Sequence, residues 1–167
     1  MGVIDALRSH GFEPDFIAGS SSGAIVGALA AADHPTETML EFFQRASPFR
    51  LSAVTVRKAG ILDTGKVVES FREYFPEDSF EALKIRLFLT ATDIVNARLK
   101  IFESGPLSPA ILASCSMPMV CTPTEMDGRW YVDGGVLNNF PIEPLRGRCD
   151  VVLGHYASPL RSVQSGD

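Results

Sequence analysis

Three serines in a row, Ser20, Ser21 and Ser22, lie between Gly19 and Gly23. Only Ser21 has one glycine two residues before it and another two residues after. That is the G-x-S-x-G spacing of a nucleophile elbow, in which a serine is held on a sharp turn from a strand into a helix. The flanks supply that context: Phe16-Ile17-Ala18 is a short apolar run that reads as a strand end, and residues 22–32 are rich in Ala, Ile, Val and Leu and read as a helix. A Cβ at Gly19 or Gly23 is expected to collide with the adjoining strand or helix. A helix that begins at Ser22 aims its free N–H groups and the positive end of its dipole at the serine, which favours developing negative charge. The backbone N–H of Ser22 is one natural oxyanion donor. A Gly/Ser run alone is also a common signature of a turn, so the chemistry needs a second partner.

A serine nucleophile needs a base within reach. The three histidines are His10, His34 and His155. His10 lies near a helix end and His34 beside Pro35, and both read as surface residues. His155 follows Val151-Val152-Leu153-Gly154, an apolar run expected as a last buried strand. That would set it near the strand's C-terminal end and suit a Ser…Asp…His order. The other candidate is Asp133, which closes an apparent strand. Gly134 and Gly135 follow it, so backbone can approach closely and the carboxylate can face a cleft. Asp-Gly is equally a common turn pair. On residue types alone, both bases stay open.

The elements that must carry these groups follow from periodicity. Val3, Ile4 and Leu7 have helical spacing over residues 1–10, and Gly11 reads as the helix end. Glu13-Pro14-Asp15 turns into the strand before the elbow. Thr36 is expected to cap a helix bearing Met39, Leu40, Phe42 and Phe43. Residues 48–60 read as irregular, and a helix is expected over 65–74. The period then changes: residues 87–92 read as a buried strand and 99–102 as its partner. Ser108-Pro109 is expected to start a helix that runs to Ser114, with serine as the cap. Asp127-Gly128 between 124–126 and 129–132 is a two-residue hairpin signal. Alternating strands and helices predict one three-layer α/β/α domain with a mostly parallel central sheet.

Composition narrows the field. The chain has 167 residues, enough for a single domain with a sizeable core, and 46% hydrophobic residues argue against disorder. The net charge of −5 comes with scattered basic residues, which gives nucleic-acid binding little support. Cys115, Cys121 and Cys149 form no C-x-x-C pair. This speaks against a zinc site or disulfide framework and for a reducing, cytoplasmic setting. No apolar run is long enough to span a membrane.

Taken together, three segments resemble the patatin-like phospholipases, a family of serine lipid acyl hydrolases. Residues 2–7 through Phe16-Ile17-Ala18-Gly19 resemble the helix and strand that lead to that family's elbow. Gly19–Gly23 with Ala24-Ile25-Val26-Gly27-Ala28-Leu29 resembles the elbow itself. Ala113-Ser114-Cys115-Ser116-Met117-Pro118, then Tyr131-Val132-Asp133-Gly134-Gly135-Val136 and Asn138-Asn139-Phe140-Pro141, resembles its D-G-G block and lead-in. The resemblance implies a Ser–Asp dyad without histidine: Ser21 the nucleophile, Asp133 the base, Ser22, Gly19 and Gly23 the elbow and oxyanion site, Gly134 and Gly135 in support. It implies no metal or cofactor, a carboxylic ester of a lipid as substrate, and transient peripheral contact with a membrane. Its fold is the α/β/α sandwich.

One departure stands against that pattern. The family carries a glycine-rich G-G-x-[RK]-G loop after a first strand, and here both are missing ahead of residue 2. The expectation is a single patatin-like domain over 1–167, truncated at the N-terminus, with truncation at the C-terminus left open. A sheet edge left open that way could be covered by a second chain, and the sequence fixes no oligomeric state. Two other readings follow: a weakly active or non-catalytic fragment, or an esterase with a triad through His155.

Overall fold

Residues 86–93 form the strand around which the sheet is built, and every residue after Arg86 in it is buried. Burial on both faces explains why Leu87, Phe88 and Leu89 are apolar without alternation. The structure, a computed structural model, describes residues 1–45 and 70–157. In chain order its elements are α1 (Gly2–Ser9), β1 (Phe16–Ser20), α2 (Ser22–Ala31), α3 (Thr36–Arg45), β2 (Arg86–Asp93), β3 (Arg98–Phe102), α4 (Leu107–Cys115), β4 (Thr124–Met126) and β5 (Arg129–Asp133). Residues 70–74 are helical. The expectations for 48–60 and for the first half of the 65–74 helix lie outside the described residues.

The α/β class is the one the pattern predicts, but the sheet is mixed rather than mostly parallel. Among the described residues only β1 and β2 pair in parallel; β2–β3, β2–β5 and β4–β5 are antiparallel. Connection length decides this. A parallel pair needs a crossover of a dozen or more residues, and the path from β1 to β2 has one through α2 and α3. The links from β2 to β3 and from β4 to β5 are tight turns. Asp127 and Gly128 both take positive φ (52° and 70°), as a two-residue hairpin of this kind requires.

Alternation along β2 divides the interior. Leu87, Leu89 and Ala91 join the core cluster with Ala24, Ala28 and Leu29 of α2 and Leu107, Ala110, Ile111 and Ala113 of α4. On the other face Phe88 is covered by Phe16 and by the guanidinium of Arg148, 5.1 Å from its ring centroid. Thr90, on that same face, lies under Gly134. The segment after β5 thus covers that face near the ends of β1 and β5.

Two local expectations change. Ser108 does not cap α4. The cap comes from Asp78, whose Oδ1 accepts the Ser108 N–H at 2.7 Å while its carbonyl accepts the Leu107 N–H at 3.0 Å. Ser108 is fully buried and its own hydroxyl has no partner among the described residues. The run Val151–Val152–Leu153 forms no strand, and its side chains are exposed. An apolar run becomes a strand only where a ladder edge receives it, and no strand among the described residues pairs with this one.

Candidate active site

The site is assembled by one edge of β2. Thr90 pairs with Ser20 of β1 and with Ile101 of β3; Ala91 pairs with Asp133 of β5 and with Lys100 of β3. A strand has two edges, so β3 takes one of them and β1 and β5 share the other end to end. β1 runs parallel to β2 and β5 runs antiparallel, so their C-terminal ends meet at Thr90–Ala91. Ser21 is the next residue after β1, and Asp133 is the last of β5. Topology therefore brings together two sequence candidates that are 112 residues apart (133 − 21).

Close packing marks the junction. A Cβ on Gly134 would lie 2.5 Å from Ser20 Oγ and 2.8 Å from Thr90 Oγ1, and would run into the Thr90 carbonyl. Asp133 is buried. Its backbone N–H donates to the Ser116 carbonyl at 2.9 Å, and the Thr92 hydroxyl donates to its carbonyl at 3.1 Å. Its carboxylate Oδ1 accepts the Gly135 N–H at 2.7 Å. Oδ2 has no hydrogen-bond partner among the described residues, and neither has the Ser21 hydroxyl. Gly134 and Gly135 thus act by letting backbone approach: the first fits beneath the elbow, the second turns its N–H onto the carboxylate.

Ser21 itself adopts φ 55° and ψ −126°. A positive φ is strained for a residue with a side chain and persists only where its surroundings hold it. Here the Ser21 N–H donates to Ser114 Oγ at 3.0 Å, and the Cys115 thiol donates to the Ser21 carbonyl at 3.2 Å. Beyond the turn, the Ser22 and Gly23 N–H groups have no acceptor among the described residues, as expected in a first helical turn. Both residues are exposed, and both lie in the first turn of α2 next to the serine.

The two elbow glycines differ, and the expectation for one is corrected. A Cβ at Gly19 would strike the Gly23 carbonyl and lie 2.9 Å from the Ala24 nitrogen, whereas a Cβ at Gly23 meets nothing within 4 Å. Gly23 sits on the open side of the first turn of α2 and contributes its carbonyl, not its missing side chain. The second tight glycine is Gly27, where a Cβ would sit 3.0 Å from Ile17 Cγ2. Gly19→Ala is expected to cost about 1–3 kcal/mol of stability, because backbone must move. Gly23→Ala is expected to be neutral or to gain up to about 1 kcal/mol, as Gly→Ala does in a helix. Urea denaturation of the two variants checks this; equal losses would mean that the elbow is not built this way.

Among the described residues, none of the histidines makes a hydrogen bond to Ser21 or Asp133. His10 contacts the Ala6 carbonyl at 2.8 Å, and His34 contacts the Tyr74 carbonyl at 2.8 Å. His155 is exposed, and no hydrogen bond among the described residues joins it to Ser21 or Asp133. Burial, and secondarily the charge of Asp133, push the Cys115 thiol far above the usual range, so it stays protonated as a donor. No group of His, Cys, Asp or Glu among the described residues could hold a metal ion. No described helix is long and apolar enough to cross a membrane. Sequence reasoning missed Ser114, Cys115 and Ser116 as working groups. Their signal was present as three small polar residues closing an otherwise apolar helix.

Comparison with known proteins gives the chain's family. A family model described as patatin-like phospholipase matches residues 1–146. An uncharacterized NTE family protein of Mycobacterium tuberculosis is 35% identical over 172 residues, covering 98% of this chain and 48% of the relative. A patatin-like phospholipase domain-containing protein of Caenorhabditis elegans is 31% identical over 157 residues, covering 87% of this chain and 11% of the relative. A lysophospholipase NTE1 of Meyerozyma guilliermondii is 29% identical over 152 residues, covering 87% of this chain and 11% of the relative. The chain therefore spans about half the length of the mycobacterial relative and about a tenth of the other two.

Proposed function

The chain belongs to the patatin-like phospholipase family, and on that premise we propose that it hydrolyses carboxylic ester bonds of lipids, with Ser21 as nucleophile and Asp133 as base. The observation that carries this reading is the shared edge of β2, where the strands bearing the two residues end against Thr90 and Ala91. The relatives named as lysophospholipases point to acyl esters of glycerophospholipids as the substrate class.

In the proposed reaction the Ser21 oxygen attacks the ester carbonyl carbon and its proton passes to the Asp133 carboxylate, directly or through a polarised contact. Oδ2 suits the task, because Oδ1 is occupied by the Gly135 N–H. The N–H groups of Ser22 and Gly23, with the N-terminal end of the α2 dipole, receive the oxyanion. The tetrahedral intermediate collapses, the ester C–O bond breaks, and Asp133 returns the proton to the leaving alcohol. Water then attacks the acyl-enzyme with Asp133 again as base, which releases the fatty acid and restores Ser21. Substrate would be met at a lipid surface through transient contact, in a cytoplasmic setting.

The direct test is hydrolysis of p-nitrophenyl butyrate and of a lysophospholipid, run beside labelling with a serine-directed fluorophosphonate. The expected result is ester cleavage with the label on Ser21. A chain that neither cleaves nor labels sinks the reading and leaves the non-catalytic one.

A further inference from the structure

We propose that the last turn of α4 sets the position of the nucleophile against the base, with Ser114 and Cys115 as positioning residues for Ser21 and the Ser116 carbonyl as the matching hold on Asp133. The inference rests on the hydrolase reading above and adds residues to it. Three consecutive residues at one helix end bond both halves of the site. Ser114 Oγ accepts the Ser21 N–H at 3.0 Å, the Cys115 thiol donates to the Ser21 carbonyl at 3.2 Å, and the Ser116 carbonyl accepts the Asp133 N–H at 2.9 Å. The first two grip both sides of the one residue at the elbow whose backbone is strained.

The turn can serve as a ruler because it is itself fixed. Leu107, Ala110, Ile111 and Ala113 anchor α4 in the core, and Asp78 closes its N-terminal end. Ser116 adds a hydroxyl bond to the Leu112 carbonyl and one with Thr124 Oγ1, each 2.8 Å, which ties the turn to β4. Burial alone does not explain these polar side chains. Ser108 and Ser114 are both fully buried on the same helix, yet the Ser108 hydroxyl has no partner among the described residues and the Ser114 hydroxyl holds the nucleophile's N–H. In a site of this kind a displacement of about 1 Å costs about a hundredfold in rate.

The test compares Ser114→Ala, Ser114→Cys, Cys115→Ala and Cys115→Ser with the wild-type chain. It reads the rate of Ser21 phosphonylation by a fluorophosphonate, kcat and KM for p-nitrophenyl butyrate, and thermal melting by circular dichroism. Ser114→Ala is expected to lower phosphonylation and kcat by about 10- to 100-fold with little change in KM. Ser114→Cys, near-isosteric with a weaker acceptor, should fall between. Cys115→Ala should slow the reaction, and Cys115→Ser, which keeps a donor, should restore it. If Ser114→Ala does not fold, the Cys115 pair decides alone. Rates equal to wild type in folded Ser114→Ala, or equal in the two Cys115 variants, overturn the positioning role. A wild-type chain that reacts with neither reagent overturns the hydrolase reading instead, and the positioning role with it.

Discussion

Ser21→Ala is expected to reduce ester hydrolysis by about a thousandfold or more and to abolish fluorophosphonate labelling, because loss of an attacking serine removes the covalent route as a unit. Its two neighbours offer a sharp control, since a run of three serines invites substitution of one hydroxyl for another. Ser20 cannot replace it: its Oγ is buried beneath Gly134 and has no partner among the described residues. Ser22 cannot either, for it lies inside α2, past the corner whose φ of 55° belongs to Ser21. Ser20→Ala and Ser22→Ala should therefore keep most of the activity. Ser21→Ala should melt near the wild-type temperature, because the backbone bonds to Ser114 and Cys115 do not involve its side chain. Activity retained in Ser21→Ala and lost in Ser22→Ala would move the nucleophile by one residue and overturn the elbow assignment.

The parts of this molecule that local chemistry dictates are the parts its sequence reveals. Gly11 ends α1 at φ 75°, as a helix-terminal glycine does. Asp127-Gly128 makes the hairpin it announces. The G-x-S-x-G spacing marks a residue whose backbone is in fact bent out of the ordinary regions. What stayed hidden depends on partners far along the chain. The cap of α4 arrives from Asp78, 30 positions before Ser108, while Ser108-Pro109 displays a local cap signal that the fold leaves unused. The run Val151–Leu153 has strand chemistry, yet it pairs with no strand among the described residues. The convergence of β1 and β5 on one edge of β2 is a property of register, which no motif encodes. Ser114 stands in the lead-in to the D-G-G block, but its bond to the Ser21 N–H, 93 positions away, depends on the fold.

Asp133→Asn is expected to lower kcat by about a hundredfold to ten-thousandfold, the range that loss of a general base produces. The substitution is well matched to its question. Asparagine keeps the shape of the side chain, and its carbonyl oxygen can still accept the Gly135 N–H that now binds Oδ1 at 2.7 Å. The backbone bonds from Asp133 to Ser116 and Thr92 do not depend on the carboxylate. The fold should therefore persist while the ability to take a proton from Ser21 is lost. Phosphonylation should fall with kcat, since both begin with the same attack. The companion variant His155→Ala should stay within about twofold of wild type, as exposed substitutions away from such features usually do. A triad through His155 predicts the opposite pairing: a dead His155→Ala, and an Asp133→Asn whose loss depends on whether that carboxylate orients the ring. Full activity in Asp133→Asn would end the dyad assignment, and a dead His155→Ala beside it would require the C-terminal segment to fold back over Ser21.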